Sequence, residues 1–234
     1  MLLGSTRYVR ALREGCSFDL SLNGVPIELI NKAVNLDIHF SPTLSWDDNI
    51  KNISSRVNGT LWRLKHYKNC LTIPLRVQLV SSLIFPLFDY CAALFTDLTG
   101  QQKLKLRRLM NACLRFIFNL DEHISQYYHK LGWLSADDRR SYLSCSLLFS
   151  ILSSGNPPYL SCNFSFPNNP RETSRASPLN LAVPSCRTSA YQQSFTSAIA
   201  SFWNSLPIEI RKAQSPINFK QKLFRHLQNG TTHL

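Results

Sequence analysis

The chain has 234 residues, 44% of them hydrophobic, so it can bury a core and is not a disordered tail. A net charge of +12 favours a polyanionic partner, with nucleic acid ahead of an anionic membrane. The charge is concentrated, because residues 47–118 carry eleven basic and four acidic side chains and residues 171–234 carry eight and two. An extended polyanion could therefore contact two basic blocks.

Seven cysteines stand at irregular spacings without a C-x-x-C pair. This pattern is typical of free thiols, most of them buried, in a reducing compartment. The N-terminus lacks the apolar stretch of a signal peptide, so we expect an intracellular protein in the cytoplasm, the nucleus or both. His66 with Cys70, and His123 with His129, lack a second ligand pair, and we predict no metal site.

The first predicted elements are β-strands. Apolar and polar residues alternate in FDLSL and again in VPIEL, on either side of Asn23-Gly24. Asn-Gly between alternating runs predicts a hairpin, and Pro26 marks the second strand as an edge. Residues 34–40, VNLDIHF, alternate again and predict a third strand. Three strands without a helix of their own do not make a stable sheet, so we expect the edge of a larger domain.

The hydrophobic pattern becomes helical from residue 45 onward. In SWDD, Ser45 and Asp48 predict an N-terminal capping box for a helix that runs to about Asn69. Thr72 and Pro74 then open a second predicted helix.

The most apolar run of the sequence, residues 79–95, lies in this second helix. It contains Ser81, Ser82, Pro86 and Asp89, and it is shorter than the ~20 residues that a membrane span needs. We therefore assign the run to the protein core rather than to a membrane, with a kink at Pro86.

A third helix is predicted to begin at TGQQ, where Thr99 and Gln102 form a second capping box. Its apolar residues recur at helical spacing and predict one buried stripe, with basic residues on the opposite face and its flanks. The stripe consists of Leu106, Leu109, Met110, Cys113, Leu114 and Ile117. Three helices with short links predict an antiparallel bundle.

Further helices are predicted beyond the bundle. A short helix covers residues 125–131, and Ser135 with Asp138 caps a fourth long helix that ends near Ser153. Residues 161–189 are rich in Pro, Ser and Asn and predict an extended connector with a short strand at Leu179–Val183. The last predicted elements are a helix at 191–204, a turn at 207–212 and a helix at 215–226.

Catalytic chemistry is not evident in the sequence. The adjacent acids are assigned to helix caps and a loop, where they stabilise N-terminal dipoles: Asp47-Asp48, Asp121-Glu122 and Asp137-Asp138. Asp89 stands among apolar residues as a structural hydrogen-bonding group or a perturbed catalytic acid, and its isolation favours the structural role. We expect no catalysis by this chain, no cofactor, no small-molecule substrate and a monomeric state.

Basic groups interleaved with aromatic ones suggest contact with a nucleic-acid backbone and its bases. We assign Trp62 to the core and the basic side chains around it to nucleic-acid contact, against the alternative of a solvated helix face. The predicted contact residues are Lys51, Arg63, Lys65 and Lys68 near the first helix, and Lys105, Arg107, Arg108 and Arg115 on the third.

Ten short stretches occur in a fixed order along nearly the whole chain: FDLSLNGVPIE, NLDIHFSPTLSWDDNI, LIFPLFDYC, LRRLMNACLRFIF, LGWLSADDRR, PPYL, VPSCRT, SF at 194–195, FWNSLP and NFKQKL. In that order they resemble the C-terminal part of the reverse transcriptases of non-LTR retrotransposons of the jockey-like LINE group. Their ordered sum, rather than any single stretch, is specific.

The resemblance implies a mainly α fold that begins with a remnant of the polymerase palm. Its segments would be palm strands at 1–44, a helical thumb-like bundle at 45–119, further helices at 120–160, a connector at 161–190 and a WNxLP helical module at 191–234. It also implies RNA and RNA–DNA duplex as partners. The paired palm aspartates of the family, which need Mg²⁺, have no counterpart in this sequence.

The terminal module of the family is matched by Trp203, Asn204, Leu206 and Pro207. We expect Trp203 to anchor a small core and Asn204 to bond the backbone, with any RNA contact secondary. The family pattern L-G-V-x-x-D is broken, because Asp37 replaces the glycine and Ser41 the aspartate, which suggests a truncated or decayed copy. The alternative function is a helical protein–protein interaction module retained by a host.

Overall fold

A computed structural model describes residues 1–15, 20–120, 124–166 and 178–230 of a chain that separates into two compact units, Met1–Arg56 and Val57–Leu234. The first unit contains α1 (Thr6–Gly15), β1 (Ser21–Leu22), β2 (Val25–Pro26), β3 (Ala33–Asn35), β4 (Ile38–Phe40) and the start of α2 (Asp47–His66). The strands form two separate antiparallel pairs, β1 with β2 and β3 with β4.

In the second unit, all the regular secondary structure that the structure describes is helical. It continues α2 and then contains a 3₁₀ turn (Lys68–Cys70), α3 (Ile73–Leu83), α4 (Phe85–Asp89), a 3₁₀ turn (Ala92–Leu94), α5 (Gly100–Phe118), α6 (Ser125–Lys130), α7 (Ala136–Ser154), α8 (Pro158–Ser161), α9 (Ser189–Gln192), α10 (Phe195–Ser205), α11 (Ile208–Arg211) and α12 (Pro216–Gly230). The predicted class, mainly α with N-terminal hairpins, is confirmed.

The predicted hairpin at Asn23-Gly24 is present. Leu22 pairs with Val25, and the two turn residues between them have φ of 51° and 78°. A two-residue turn in which both residues have positive φ matches the right-handed twist of the flanking strands. Asn and Gly adopt positive φ more easily than other residues. Phe18, which belongs to the predicted first strand, lies outside the described residues.

The prediction of a single strand at residues 34–40 is wrong. The segment folds back on itself as the β3–β4 hairpin, with a turn at Leu36 (φ 49°) and Asp37 (φ 61°). Alternation over seven residues fits two short strands as well as one long strand, and the turn carries no glycine to reveal it. Asp37 also forms an exposed ion pair with Arg56, at 2.7 Å.

Helix α1 is a second departure from the predicted strands of the N-terminal segment. Its only buried residue among those described is Val9, and Arg10 pairs with Glu14 one turn later at 2.8 Å. The helix has only ten residues and lies ahead of the first element that the sequence analysis predicts, so it was not predicted.

Caps fix the long helices of the second unit. Thr99 and Gln102 form the predicted capping box of α5, and the Ser135 hydroxyl accepts from the backbone N–H of Asp138 at the start of α7. All six residues of the predicted α5 stripe are buried. Pro86 interrupts the apolar segment, since α3 ends at Leu83 before α4 begins.

The start of α2 differs from its prediction. The helix begins at Asp47, so Ser45 lies one residue before the cap position, and its hydroxyl donates to the Asp47 carboxylate at 2.7 Å. Asp48 instead forms an ion pair with Lys32 at 2.7 Å, and this hydrogen bond lowers the pKa of the Asp48 carboxyl.

The cysteines are less buried than predicted. Of the six that the structure describes, all free, only Cys113 and Cys145 are buried, and burial raises the pKa of each thiol to about 12. Cys70 and Cys162 are exposed, and Cys91 and Cys186 are half-buried. Irregular spacing indicates that cysteines are unpaired, but it does not say which helix face they occupy.

One described segment, Ile73–Leu94, has the length and composition to cross a membrane, with a mean hydropathy of 1.6. Proline and two helix breaks interrupt it within the bundle, as given above. Its most apolar window is only 28% buried, so the assignment of this run to the core holds only in part.

A buried arginine joins two helix ends in the second unit. Arg76 of α3, 9% exposed, donates from Nε to the carbonyl of Leu71 (3.0 Å) and from Nη2 to that of Lys68 (2.8 Å). Its Nη1 donates to the carbonyls of Phe116 (3.4 Å) and Ile117 (3.1 Å) at the end of α5. Carbonyls at helix C-termini carry partial negative charge, so they solvate the guanidinium in place of a carboxylate.

We expect Arg76→Met to lower the free energy of unfolding of the second unit by about 3 kcal/mol or more, because several buried carbonyls lose their donor. Methionine keeps most of the aliphatic volume, so the loss reports hydrogen bonds rather than a cavity. Denaturant unfolding measures the change. Arg108→Met, at an exposed position of α5, should stay within about 0.5 kcal/mol of wild type. Equal losses in the two variants would contradict the assignment.

We expect Leu36→Asn to stabilise the β3–β4 hairpin by about 1 kcal/mol, since asparagine tolerates the left-handed conformation that costs leucine free energy. Hydrogen exchange of the β3 and β4 amides in the intact chain measures the effect. Leu20→Asn, at another exposed leucine whose φ is not positive, is the matched control and should give no slowing of exchange. Faster exchange in Leu36→Asn would show that the turn does not strain this residue.

Candidate nucleic-acid interface

Helix α5 presents a basic face. Arg108 and Arg115 are exposed opposite the buried stripe, seven residues apart, and Lys105 is exposed on one flank of the stripe. Ten residues of α-helix rise about 15 Å, so the face extends over several phosphates of a nucleic-acid strand. Arg107 is exposed on the other flank, near the Tyr128 hydroxyl, whose pKa burial raises.

The assignment of Trp62 to the core is wrong. Its side chain is 65% exposed, and its ring lies 5.1 Å from that of His66 one turn later. The buried residues of α2 include Ile50, Val57 and Leu61, and these lie on the opposite face of the helix. Residue type favoured burial of the tryptophan, whereas its helical position relative to those three residues places it in solvent.

Basic side chains flank this aromatic pair. Arg63 is exposed, with Nε donating to the Gly59 carbonyl at 3.3 Å, and Lys65 is exposed on the other flank of the helix. Tyr67 follows, 66% exposed. The arrangement provides aromatic faces for stacking between positive charges for backbone contact. Sequence reasoning did not recognise His66 as part of this surface, because it considered that residue only as a metal ligand.

The structure brings two parts of the predicted site together through Arg76. The Lys68 carbonyl and the Phe116 carbonyl both lie within 3.4 Å of its guanidinium, so the turn after α2 meets the end of α5 next to Arg115. Lys51 lies in the first unit and is exposed. The remaining seven predicted contact residues all lie in the second unit.

These seven cations are unpaired within the described part of the chain. None of them forms an ion pair with a carboxylate described there: Arg63, Lys65, Lys68, Lys105, Arg107, Arg108 and Arg115. Their charge is therefore free to attract an external anion.

Several acids, by contrast, have structural partners. Asp89 accepts a bidentate pair from Arg139, with both distances 2.5 Å, and the Arg139 guanidinium lies 4.3 Å from the Phe85 ring centroid. The structural role favoured for Asp89 is thus the one observed. Asp137 pairs with Arg140. The pair at residues 121–122 lies outside the described residues, and among those described no three His, Cys, Asp or Glu side chains cluster as a metal site would require.

Trp203 anchors the C-terminal module. It is buried, its ring stacks on Phe219 at 5.7 Å, and its Nε1 donates to the Leu179 carbonyl at 2.9 Å. Leu206 is buried beside it, and Pro207 precedes the first residue of α11. These side chains hold α10, α12 and the connector together, so they serve packing rather than an exposed binding surface.

The side chain of Asn204 makes the hydrogen bonds to the connector that a neighbouring strand would otherwise make. Its Oδ1 accepts from the Leu181 N–H at 2.8 Å, and its Nδ2 donates to the Leu181 carbonyl at 2.9 Å. The predicted strand at Leu179–Val183 is absent, although this segment lies wholly within the described residues. The side-chain amide satisfies both polar groups of a buried residue, which a strand partner would otherwise do.

Comparison of the chain with models of protein families, with curated proteins and with solved structures gives no match. The functional argument therefore rests on the sequence motifs and on the geometry described above. That geometry separates an exposed basic and aromatic surface on α2 and α5 from a C-terminal module built for packing.

We expect Asn204→Ala to lower the free energy of unfolding by about 2 kcal/mol or more, because Leu181 loses both of its hydrogen bonds in a buried setting. Asn204→Asp should be at least as harmful near neutral pH, since a carboxylate keeps the acceptor but opposes a carbonyl oxygen where the amide donated. Thermal and denaturant unfolding measure both variants. Asn218→Ala, at an exposed position of α12, serves as the control. A neutral Asn204→Ala would refute the structural role.

Proposed function

We propose that this chain is the non-catalytic, thumb-containing part of an RNA-directed DNA polymerase of the jockey-like LINE group. Its function would be to hold RNA or an RNA–DNA template–primer duplex. The ordered sequence stretches support the family relationship. The exposed surface of α2 and α5 supports the binding function.

The observation that carries the proposal is the unpaired state of the basic residues on this surface. A protein gains affinity for nucleic acid by releasing counterions from phosphates, and only cations without a carboxylate partner contribute fully. Seven such side chains lie on α2, the following turn and α5, as described above. An inert basic surface would more commonly intersperse acids among its cations, whereas α5 and the part of α2 after Asp48 carry no acidic residue.

The exposed Trp62–His66 pair adds a stacking element to the electrostatic one. Stacking of a base on an aromatic side chain contributes about 1–3 kcal/mol and tolerates any base. A duplex hides its base faces, whereas an unpaired template strand presents them. The surface therefore combines backbone contacts, suited to either form, with a feature that favours an unpaired nucleotide.

A second candidate function, the host-retained protein–protein module, has its own supporting observation. Large apolar side chains are exposed along α3 and the segment after it: Ile73, Leu75, Leu83, Tyr90 and Leu94. Apolar docking to a protein would be insensitive to salt, unlike phosphate contact. Salt dependence and nuclease treatment of any captured complex thus separate the two functions.

We expect the intact chain to bind labelled RNA and RNA–DNA duplex with an affinity that falls steeply with salt. Removing two phosphate contacts with Arg108→Gln and Arg115→Gln should reduce the slope of log K against log salt by about 1.4 for a single strand and about 1.8 for a duplex. Lys220→Gln with Arg225→Gln removes the same charge from α12 and should change the slope less. Binding that is absent at low salt would refute the proposal.

The stacking element calls for a separate variant. Trp62→Ala should weaken the binding of a single strand by about tenfold while leaving the salt slope unchanged, because it removes a base contact and no phosphate contact. Trp62→Phe should restore part of the affinity. An effect of equal size on blunt duplex would argue against base stacking.

A further inference from the structure

A groove of about 320 Å³ opens in the second unit, away from the basic face of α5. Its walls come from the segment before α5, the first turn of α5, the first half of α7 and the middle of α10. Its size lies at the lower end of the range of small-ligand sites, about 300–1,000 Å³. Nothing in the proposed nucleic-acid surface uses this space.

Hydrogen-bond donors converge on the groove without partners of their own. Lys103 of α5 lines it, as do the hydroxyls of Thr96, Ser141 and Ser144. Ser144 is 5% exposed, yet its hydroxyl makes no hydrogen bond to any described residue. Lys103 likewise forms no ion pair within the described ranges. Lys103 is exposed and the Ser144 oxygen keeps some contact with solvent, so these donors are available to a ligand that enters the groove.

Arg140 supplies a second cation to the same groove. Its side chain is 13% exposed and pairs with Asp137, which also lines the groove. Burial lowers the pKa of the Arg140 guanidinium, and the attraction of Asp137 does not fully offset that effect. A further anion would therefore be stabilised beside Arg140, because the groove contains two cations, Lys103 and Arg140, and one carboxylate, Asp137.

The rest of the lining is apolar and includes two aromatic rings. Phe95 and Ile199 are buried in the wall, and Phe202 of α10 lies half-buried at its edge. The donors alone would suit any small anion. The aromatic side chains add a surface that a planar, uncharged ring would cover.

We propose that this groove binds a phosphate monoester with an aromatic body, of the size of a nucleoside monophosphate. Lys103, Arg140 and Ser144 contact the phosphate, and Phe95 with Phe202 contacts the planar ring. The first turns of α5 and α7 border the site, and their N-terminal dipoles favour the anion further. This inference does not rest on the proposed nucleic-acid surface, which lies on other side chains.

Calorimetric titration of the intact chain tests the proposal with AMP, CMP, adenosine and inorganic phosphate as probes. We expect saturable binding of both nucleotides, and binding of adenosine and of phosphate at least tenfold weaker than that of AMP. Equal affinity for AMP and inorganic phosphate would overturn the aromatic contact. Equal affinity for AMP and adenosine would overturn the phosphate contact, and the absence of nucleotide binding at millimolar concentration would overturn the site itself.

Two variants assign the binding to this groove. Lys103→Gln and Ser144→Ala should each weaken AMP by about tenfold or more, since each removes a hydrogen bond to a charged group. Lys212→Gln, which removes the same charge from an exposed position after α11, should bind as wild type. Unchanged affinity in both groove variants would overturn the assignment. Circular dichroism and thermal unfolding test whether the variants fold. We expect RNA binding by the same variants to persist, so the experiment tests the groove independently of the α2–α5 surface.

Discussion

The second unit depends on a positive charge that has no carboxylate beside it. Arg76 lies inside the bundle with carbonyls from two helix ends around its guanidinium, and these satisfy its donors while it satisfies them. The same side chain fixes where the turn after α2 meets the end of α5. Because that meeting places Lys68 next to the end of α5 that carries Arg115, an interior hydrogen-bond network determines the arrangement of the exterior charges. The order of the surface that we propose for nucleic-acid binding therefore depends on this buried contact.

The second unit satisfies buried backbone polar groups in two different ways. In the bundle, a charged side chain satisfies carbonyls that a helix leaves open. In the C-terminal module, the neutral amide of Asn204 satisfies the N–H and the carbonyl of Leu181 together. An amide can both donate and accept, which suits a chain segment that needs one group of each kind, whereas a guanidinium only donates. The packing and hydrogen bonds of Trp203 and Asn204 thus account for this pair of residues as structural groups.

The helices of the bundle could be predicted because local signals agreed with the global fold. The Thr99–Gln102 box, the Ser135 cap and the α5 stripe each depend on residues within about three helical turns of one another. The predictions that were wrong depended on contacts between residues distant in sequence, or on turns and helix orientations that no residue type indicates. The turn at Leu36 lacks glycine, the connector pairs with a side chain 23 residues away, and the exposure of Trp62 follows from the orientation of α2 rather than from residue type. The helical positions of the predicted contact residues could be read from the sequence, whereas their spatial arrangement required Arg76, and the groove required three elements that only the tertiary fold assembles.

The exposure of Trp62 gives the protein an intrinsic optical reporter. Of the four tryptophans, Trp133 and Trp203 are buried, Trp46 is half-buried, and Trp62 alone is exposed to solvent. Its indole emission should be red-shifted and open to collisional quenchers, while that of the two buried residues stays shielded. Events at α2 can therefore be followed in unlabelled protein against a largely constant background from the core.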